Sequence, residues 1–323
     1  MRRRLFFLLA ITVWWLVFGP ATSSYADNCS GLSDCSTAAK VGIAAAVALG
    51  LMLVAAIALP ALVGAAAAEG VAAMGAADAA IATYGAADAA AVAASAAAEE
   101  AAATAAAMAE AAGEGLIAPE AAAAAEAAAA EANALAWEAA EAAEAAQAAA
   151  QESLAAAQAG DVAAAEAASA QAAQASAAAE AAAVNAERAA IQSEIAGVNP
   201  LGAVDNCTYC TAAAEDRFAG DLVSYAGDNG TRTAPDIADA LGGTWQYANE
   251  TGIKDALGAA GDGSRGVVAI NWAGSETGHL INVVEQGGNT FFVDAQSGQV
   301  ATSLNDLYPN NLISAIRWFM TAP

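Results

Sequence analysis

GHLINVVEQGGNTFFVD, residues 278–294, is the stretch on which the fold turns. Two apolar runs, His279–Glu285 and Thr290–Asp294, flank Gly287-Gly288-Asn289, a turn signal, so they read as a β-hairpin. Upstream, Gly266–Trp272 is another strand. Before it, a helix is expected from about 207 to 219, stopped by Gly220. Short helices are expected at Asp236–Leu241 and Glu250–Ala256, around Trp245. Leu312–Trp318 reads as a further strand or a short helix. Asn199-Pro200 ends the alanine-rich helix before it, and residues 198–323, 126 in all, are enough for one α+β domain with its own core.

Three features of this domain carry chemistry. In Asp205-Asn206-Cys207-Thr208-Tyr209-Cys210, Asn206 is a good N-cap and puts Cys207 at the start of a helix. Unpaired N–H groups and the positive dipole end lower a thiol pKa there and can hold an oxyanion. If Thr208 caps instead, Cys210 takes that place, so the nucleophile is either Cys207 or Cys210. His279 opens the first hairpin strand. A lone histidine is more often structural, but this is the only imidazole in the chain, and Gly278 beside it permits close approach. Asp294 ends the second strand, where the hairpin lets it approach His279 and fix the imidazole tautomer. By itself it reads equally well as a turn residue before Ser297-Gly298.

Cys, His and Asp in this order, with the Cys at a helix start and His and Asp on paired strands, is a papain-like layout. Residues 198–323 resemble the papain-fold toxin domain of bacterial polymorphic toxins, described as a toxin glutamine deamidase. The matching pieces are VNP (198–200), NCTYC (206–210), FAG (218–220), RGVVAINW (265–272), GHLINVV (278–284) and FFVDAQSG (291–298). The resemblance implies a papain-like α+β fold, with an N-terminal helix packed on an antiparallel sheet. It implies a Cys nucleophile within NCTYC, His279 as general base and acid, and Asp294 as its orienter. Asn206 and Gln296 would be support or oxyanion-side groups. It also implies a target protein carrying the modified glutamine and an immunity protein as partners, with no cofactor. Peptide cleavage uses the same residues, so a cysteine peptidase is the alternative. A less favoured alternative is a C-x-x-C redox or binding module, which would not need His279 and Asp294. Outside the producing cell, a Cys207–Cys210 disulfide would keep the nucleophile silent.

Residues 69–197 are low-complexity. Between 121 and 150, 21 of 30 residues are Ala, broken by glutamates. Ala, Glu and Gln are strong helix formers, so helices are expected at about 86–112, 119–158 and 161–196, the last two as a hairpin. Gly113, Gly115 and Pro119 interrupt the first pair, and Gly160-Asp161 is a stop followed by an N-cap. The segment reads as a helical stalk or linker, possessing no chemistry of its own.

Residues 1–26 have the layout of a signal peptide: Arg2-Arg3-Arg4, an apolar run Leu5–Phe18, and small residues up to Ala26. In the short loop 27–40, Cys29 and Cys35 are disulfide candidates in an oxidising compartment. Residues 41–68 form a charge-free segment long enough for a transmembrane helix. The expectation is a secreted or membrane-anchored protein with its C-terminal domain outside.

Composition excludes other classes. A formal charge of -25, from 10 basic and 35 acidic residues, argues against nucleic acid as a partner, which needs clustered Lys and Arg. Four Cys and one His make a structural zinc site a poor reading, and no metal is expected.

Overall fold

The computed structural model describes residues 68–227, 232–275 and 277–323. The expected signal peptide, the Cys29–Cys35 pair and nearly all of the 41–68 segment lie outside the described residues.

Three long helices come first: α1 (Ala68–Gly113), α2 (Pro119–Ala159) and α3 (Val162–Ile195). Helix α1 begins well before the expected residue 86. It runs through Gly75 and Gly85, because each interior glycine costs only about 0.5–1 kcal/mol against alanine and the flanking alanines outweigh that. The other breaks fall as the sequence indicates. Pro119 opens α2, Gly160 has φ +77°, and the Asp161 carboxylate accepts from the backbone N–H of Ala164 at 3.0 Å. Among the described residues, Val71–Gly113 is long and apolar enough to cross a membrane by length and composition.

The chain divides into two compact units: the described part of Met1–Ala96 with Trp137–Ala183, and Ala97–Ala136 with Val184–Pro323. In the first unit, alanines pack helix on helix: Ala73, Ala77, Ala157 and Ala165 form one cluster, and Ala80, Ala149, Ala150 and Ala172 another. Small side chains let these helices approach closely, and the buried Ser153 hydroxyl donates to the Ala165 carbonyl at 2.9 Å.

The second unit holds the sheet and the helices that flank it. After α3 come α4 (Cys207–Phe218), α5 (Ala234–Leu241), β1 (Gln246–Tyr247), α6 (Glu250–Ala260), β2 (Arg265–Trp272), β3 (Gly278–Gln286), β4 (Asn289–Asp294), β5 (Gln299–Ala301), α7 (Leu304–Leu307) and β6 (Ile313–Ala322). The strands form one antiparallel sheet in the order β1-β6-β2-β3-β4-β5. The hairpin β3–β4 is the expected one. Leu312 lies in a 3-10 turn and the strand begins at Ile313, because pairing with β2 extends β6 to Ala322.

Alternation along the strands sorts side chains between two layers. Val267, Ala269 and Leu280 face α4 and α5, in a cluster with Ile237 and Phe319. Val268, Ile270, Ile281 and Phe292 face the other way, against Ile253 and Leu257 of α6. Phe291 and Val293 pack on Cys210, Ala213 and Ala214 of α4 and on Ile191 and Ile195 of α3. Two polar fixtures hold α4 in place. Asn282 of β3, fully buried, donates to Thr211 O at 3.1 Å and to Glu215 at 2.9 Å, and Glu215 also takes Arg265 at 3.2 Å and Thr321 at 2.7 Å. Arg217 donates to the carbonyls of Glu194, Ala196 and Ser224, tying α4 to the end of α3. Gly197 has φ +72°, and a Cβ there would lie 2.3 Å from that of Ala121, so only glycine allows this turn to touch α2.

Candidate active site

The pairing register brings His279 and Asp294 together. Asn282 pairs with Val293, so Asp294 continues opposite Ile281 and shares its face with residue 279, two positions on. His279 Nε2 stands 3.1 Å from Asp294 Oδ1, with its N–H angled off the line between them. The Asp294 carboxylate is otherwise held by donors on several sides. Tyr308 OH and Ser297 OH each reach Oδ2 at 2.7 Å, and the Gln296 and Ser297 N–H groups point to Oδ1 at 3.1 and 3.4 Å. Tyr308 also lies edge-on to His279 and to Trp272, and Trp272 stacks beside His279.

Helix α4 delivers the two thiols differently. Cys207, in its first turn, is half-buried; its sulfur lies over the start of β3, in contact with His279 and with the backbone at Leu280. Cys210, one turn on, is 1% exposed and points into the core, its Sγ donating to Asn206 Oδ1 at 3.3 Å. Both are free thiols.

Electrostatics separate them further. Burial pushes Cys207 up, but the His279 hydrogen bond, the Leu280 backbone and the His279 charge bring it below the ordinary thiol value. Burial, with the charges of Cys207 and Asp294 added, pushes Cys210 up to about 12. Burial opposes the charge on His279, yet the Asp294 and Cys207 contacts raise it to about 9. For Asp294 burial is again outweighed, by His279, Tyr308 and Ser297, which hold the carboxyl at about 2. The site therefore favours a thiolate, an imidazolium and a carboxylate in a row.

Asn206 occupies the N-cap position of α4, but its side chain does not cap the helix. That expectation fails because tertiary partners take the amide: Nδ2 donates to Asn199 Oδ1 at 3.1 Å, and Oδ1 accepts from Cys210 and from Gln296 Nε2 at 3.0 Å. Gln296 is thus placed at the helix start, its terminal amide atom 3.1 Å from the backbone nitrogens of Asn206 and Cys207. Sequence reasoning missed Tyr308, a loop residue after α7, along with the roles of Asn199 and Ser297. Their only signal was membership in VNP and DAQSG. Among the described residues no group of three or more His, Cys, Asp or Glu side chains is placed to hold a metal ion.

Residues 205–299 match a family model described as papain fold toxin 1, glutamine deamidase. No curated protein and no solved structure matched the chain. The matched stretch contains both cysteines, His279, Asp294 and Gln296, while Asn199 and Tyr308 lie outside it. Residues 205–299 thus resemble a papain-fold toxin deamidase domain, and there helices pack on an antiparallel sheet.

Proposed function

We propose that the protein is a bacterial toxin whose C-terminal domain converts a glutamine of a target protein to glutamate. The observation that carries this reading is the contact chain Cys207–His279–Asp294 at the start of α4, inside the stretch that matches the deamidase model. Cys207 is the nucleophile; the buried Cys210, bound to Asn206 and raised to about 12, supports it from the core.

The Cys207 thiolate attacks the side-chain carbonyl carbon of the substrate glutamine. A C–S bond forms, and the carbonyl electron pair moves to oxygen. Backbone N–H groups at the start of α4 stabilise its charge. As the tetrahedral species collapses, the C–N bond breaks and His279 gives its proton to the departing ammonia, leaving a thioester. His279 then takes a proton from water, the hydroxide adds, and the C–S bond breaks to release glutamate and the thiolate. Asp294 orients the ring and stabilises its charged form throughout. The product carries a new negative charge, enough to disable a target surface.

In this reading the chain is exported by residues 1–26, with residues 41–68 as a membrane segment and the helices as a spacer. The domain meets its target outside the producer, which carries an immunity protein against it. A redox role for C-x-x-C fits poorly, because Cys210 is sealed in the core.

The test is mass spectrometry of a host or rival-bacterium lysate treated with the full chain. Wild type and Cys210→Ser produce an intact target whose mass rises by the replacement of NH2 with OH. Cys207→Ser and His279→Ala do not. Clipped fragments in place of the intact product would sink the deamidase reading in favour of a peptidase.

A further inference from the structure

A groove of about 500 Å³ lies between α2 and the loops that meet at the start of α4. Ala124, Ala127 and Glu131 line it from α2, at the three- and four-residue spacing that puts side chains on one helix face. Asn199 and Gln296 line it from the loops, and all five residues belong to the second unit. The groove is open because the helix offers only methyl groups at 124 and 127, both exposed. Its other side is held in place. Asn199 Nδ2 donates to the carbonyls of Ala203 and Gln296 at 2.9 Å each, and Ala121 packs on Gly197.

The groove adjoins the reacting centre. Gln296 lies on it, and the terminal amide atom of Gln296 is 3.1 Å from the Cys207 backbone nitrogen. One side chain thus separates the groove from the helix start. From 124 to 131 the helix advances about 10 Å, the length of about three extended residues. Among the described residues, Glu131 is the one charged residue lining the groove; it is exposed and has no ion-pair partner there. The cavity that shares Gln192 and Gly298 with the groove carries one charge of each sign, Arg188 and Asp306, and so adds no net preference. The chain as a whole has a formal charge of -25, which draws a cationic segment toward it.

We propose that this groove receives the stretch of the target protein next to the modified glutamine, and that Glu131 selects a lysine or arginine in that stretch. The alanine-rich helix α2 is then one wall of the substrate site as well as a spacer. The proposal rests on Cys207 being the nucleophile that attacks a glutamine of that target. Glu131 touches no reacting atom; it determines specificity.

The test is protection of Cys207 from iodoacetamide in the full chain, followed by peptide mapping. The probes are two synthetic peptides, each a glutamine with two alanines on either side, ending in lysines in one peptide and in glutamates in the other. The lysine peptide is expected to slow alkylation, with half-protection at a concentration about fivefold lower than for the glutamate peptide, the scale of one exposed ion pair, and with the difference shrinking in high salt. Glu131→Lys is expected to reverse the order of the two peptides. Ala127→Trp, at an exposed helix position, fills the groove and is expected to abolish protection while the alkylation rate without peptide stays within about twofold of wild type. Equal protection by both peptides, an order unchanged in Glu131→Lys, or full protection in Ala127→Trp overturns the proposal. His279→Ala reports separately on the underlying reading: an alkylation rate without peptide that is unchanged in that variant removes the activated thiol, whatever the peptides do.

Discussion

Tyr308→Phe removes one oxygen and leaves the ring, so it isolates a single hydrogen bond to Asp294. Burial pushes the Asp294 carboxyl up, but its partners outweigh that and hold it at about 2, well below its ordinary 3.8. His279 is the largest favourable contributor, followed by Tyr308 and Ser297. A loss of about 1 kcal/mol is expected for Tyr308, under the usual range of about 1.5–3 kcal/mol for a hydrogen bond to a charged group, because the Ser297 hydroxyl stays on the same oxygen at 2.7 Å. The sign is fixed by linkage. A depressed carboxyl contributes stability that is present above its unfolded value of 3.8 and lost as pH falls through about 2. Urea unfolding of Tyr308→Phe should therefore show a loss of about 1 kcal/mol near pH 7 that shrinks in acid. Turnover should fall about tenfold with KM unchanged, because a carboxylate freed on one side holds the imidazole less well. Equal losses at pH 7 and in strong acid would show that Tyr308 only packs, and an unchanged turnover would refute its link to His279.

The pH profile of turnover should be bell-shaped. It rises as the Cys207 thiol ionises below the usual thiol value and falls as His279 loses its proton near 9; a profile still climbing above about pH 10 would contradict an imidazolium partner. The raised His279 also contributes stability that is complete below its ordinary 6.5 and lost as pH rises through about 9, so unfolding midpoints of wild type and His279→Ala should converge at high pH. Glu187, 2% exposed, is pushed up to about 7 by burial and by the charges of Asp262 and Glu285, against the Asn289 hydrogen bond. Glu187→Gln keeps the acceptor for Asn289 and removes the charge, so it should be more stable than wild type at about pH 8 and no more stable at about pH 4; a pH-independent difference would refute this.

What the sequence disclosed and what it withheld divide by the range of the interaction. Strands β2, β3 and β4 were legible because their apolar runs are long and their turn carries Gly287-Gly288. The structure shows why glycine is needed there: φ at 287 is +60°, and a Cβ would overlap the Glu187 carboxylate. Strands β1 and β5 escaped notice because two or three residues carry no period, and only their partners β6 and β4 define them. The three reactive residue types were visible as a lone histidine, a helix-start cysteine and a strand-end aspartate. Choosing between Cys207 and Cys210 was not possible locally, since both stand in the first turns of one helix. The choice depends on which side chain faces β3 and which faces Phe291 and Val293. Asn206 shows the same limit from the other side. Its intrinsic preference as a cap is real, but Asn199 and Gln296, 7 and 90 residues away in sequence, offer bonds that a helix end cannot match in a buried site. A local rule overridden at a buried amide, beside a thiol, marks where long-range contacts shaped the helix start for something other than helix stability.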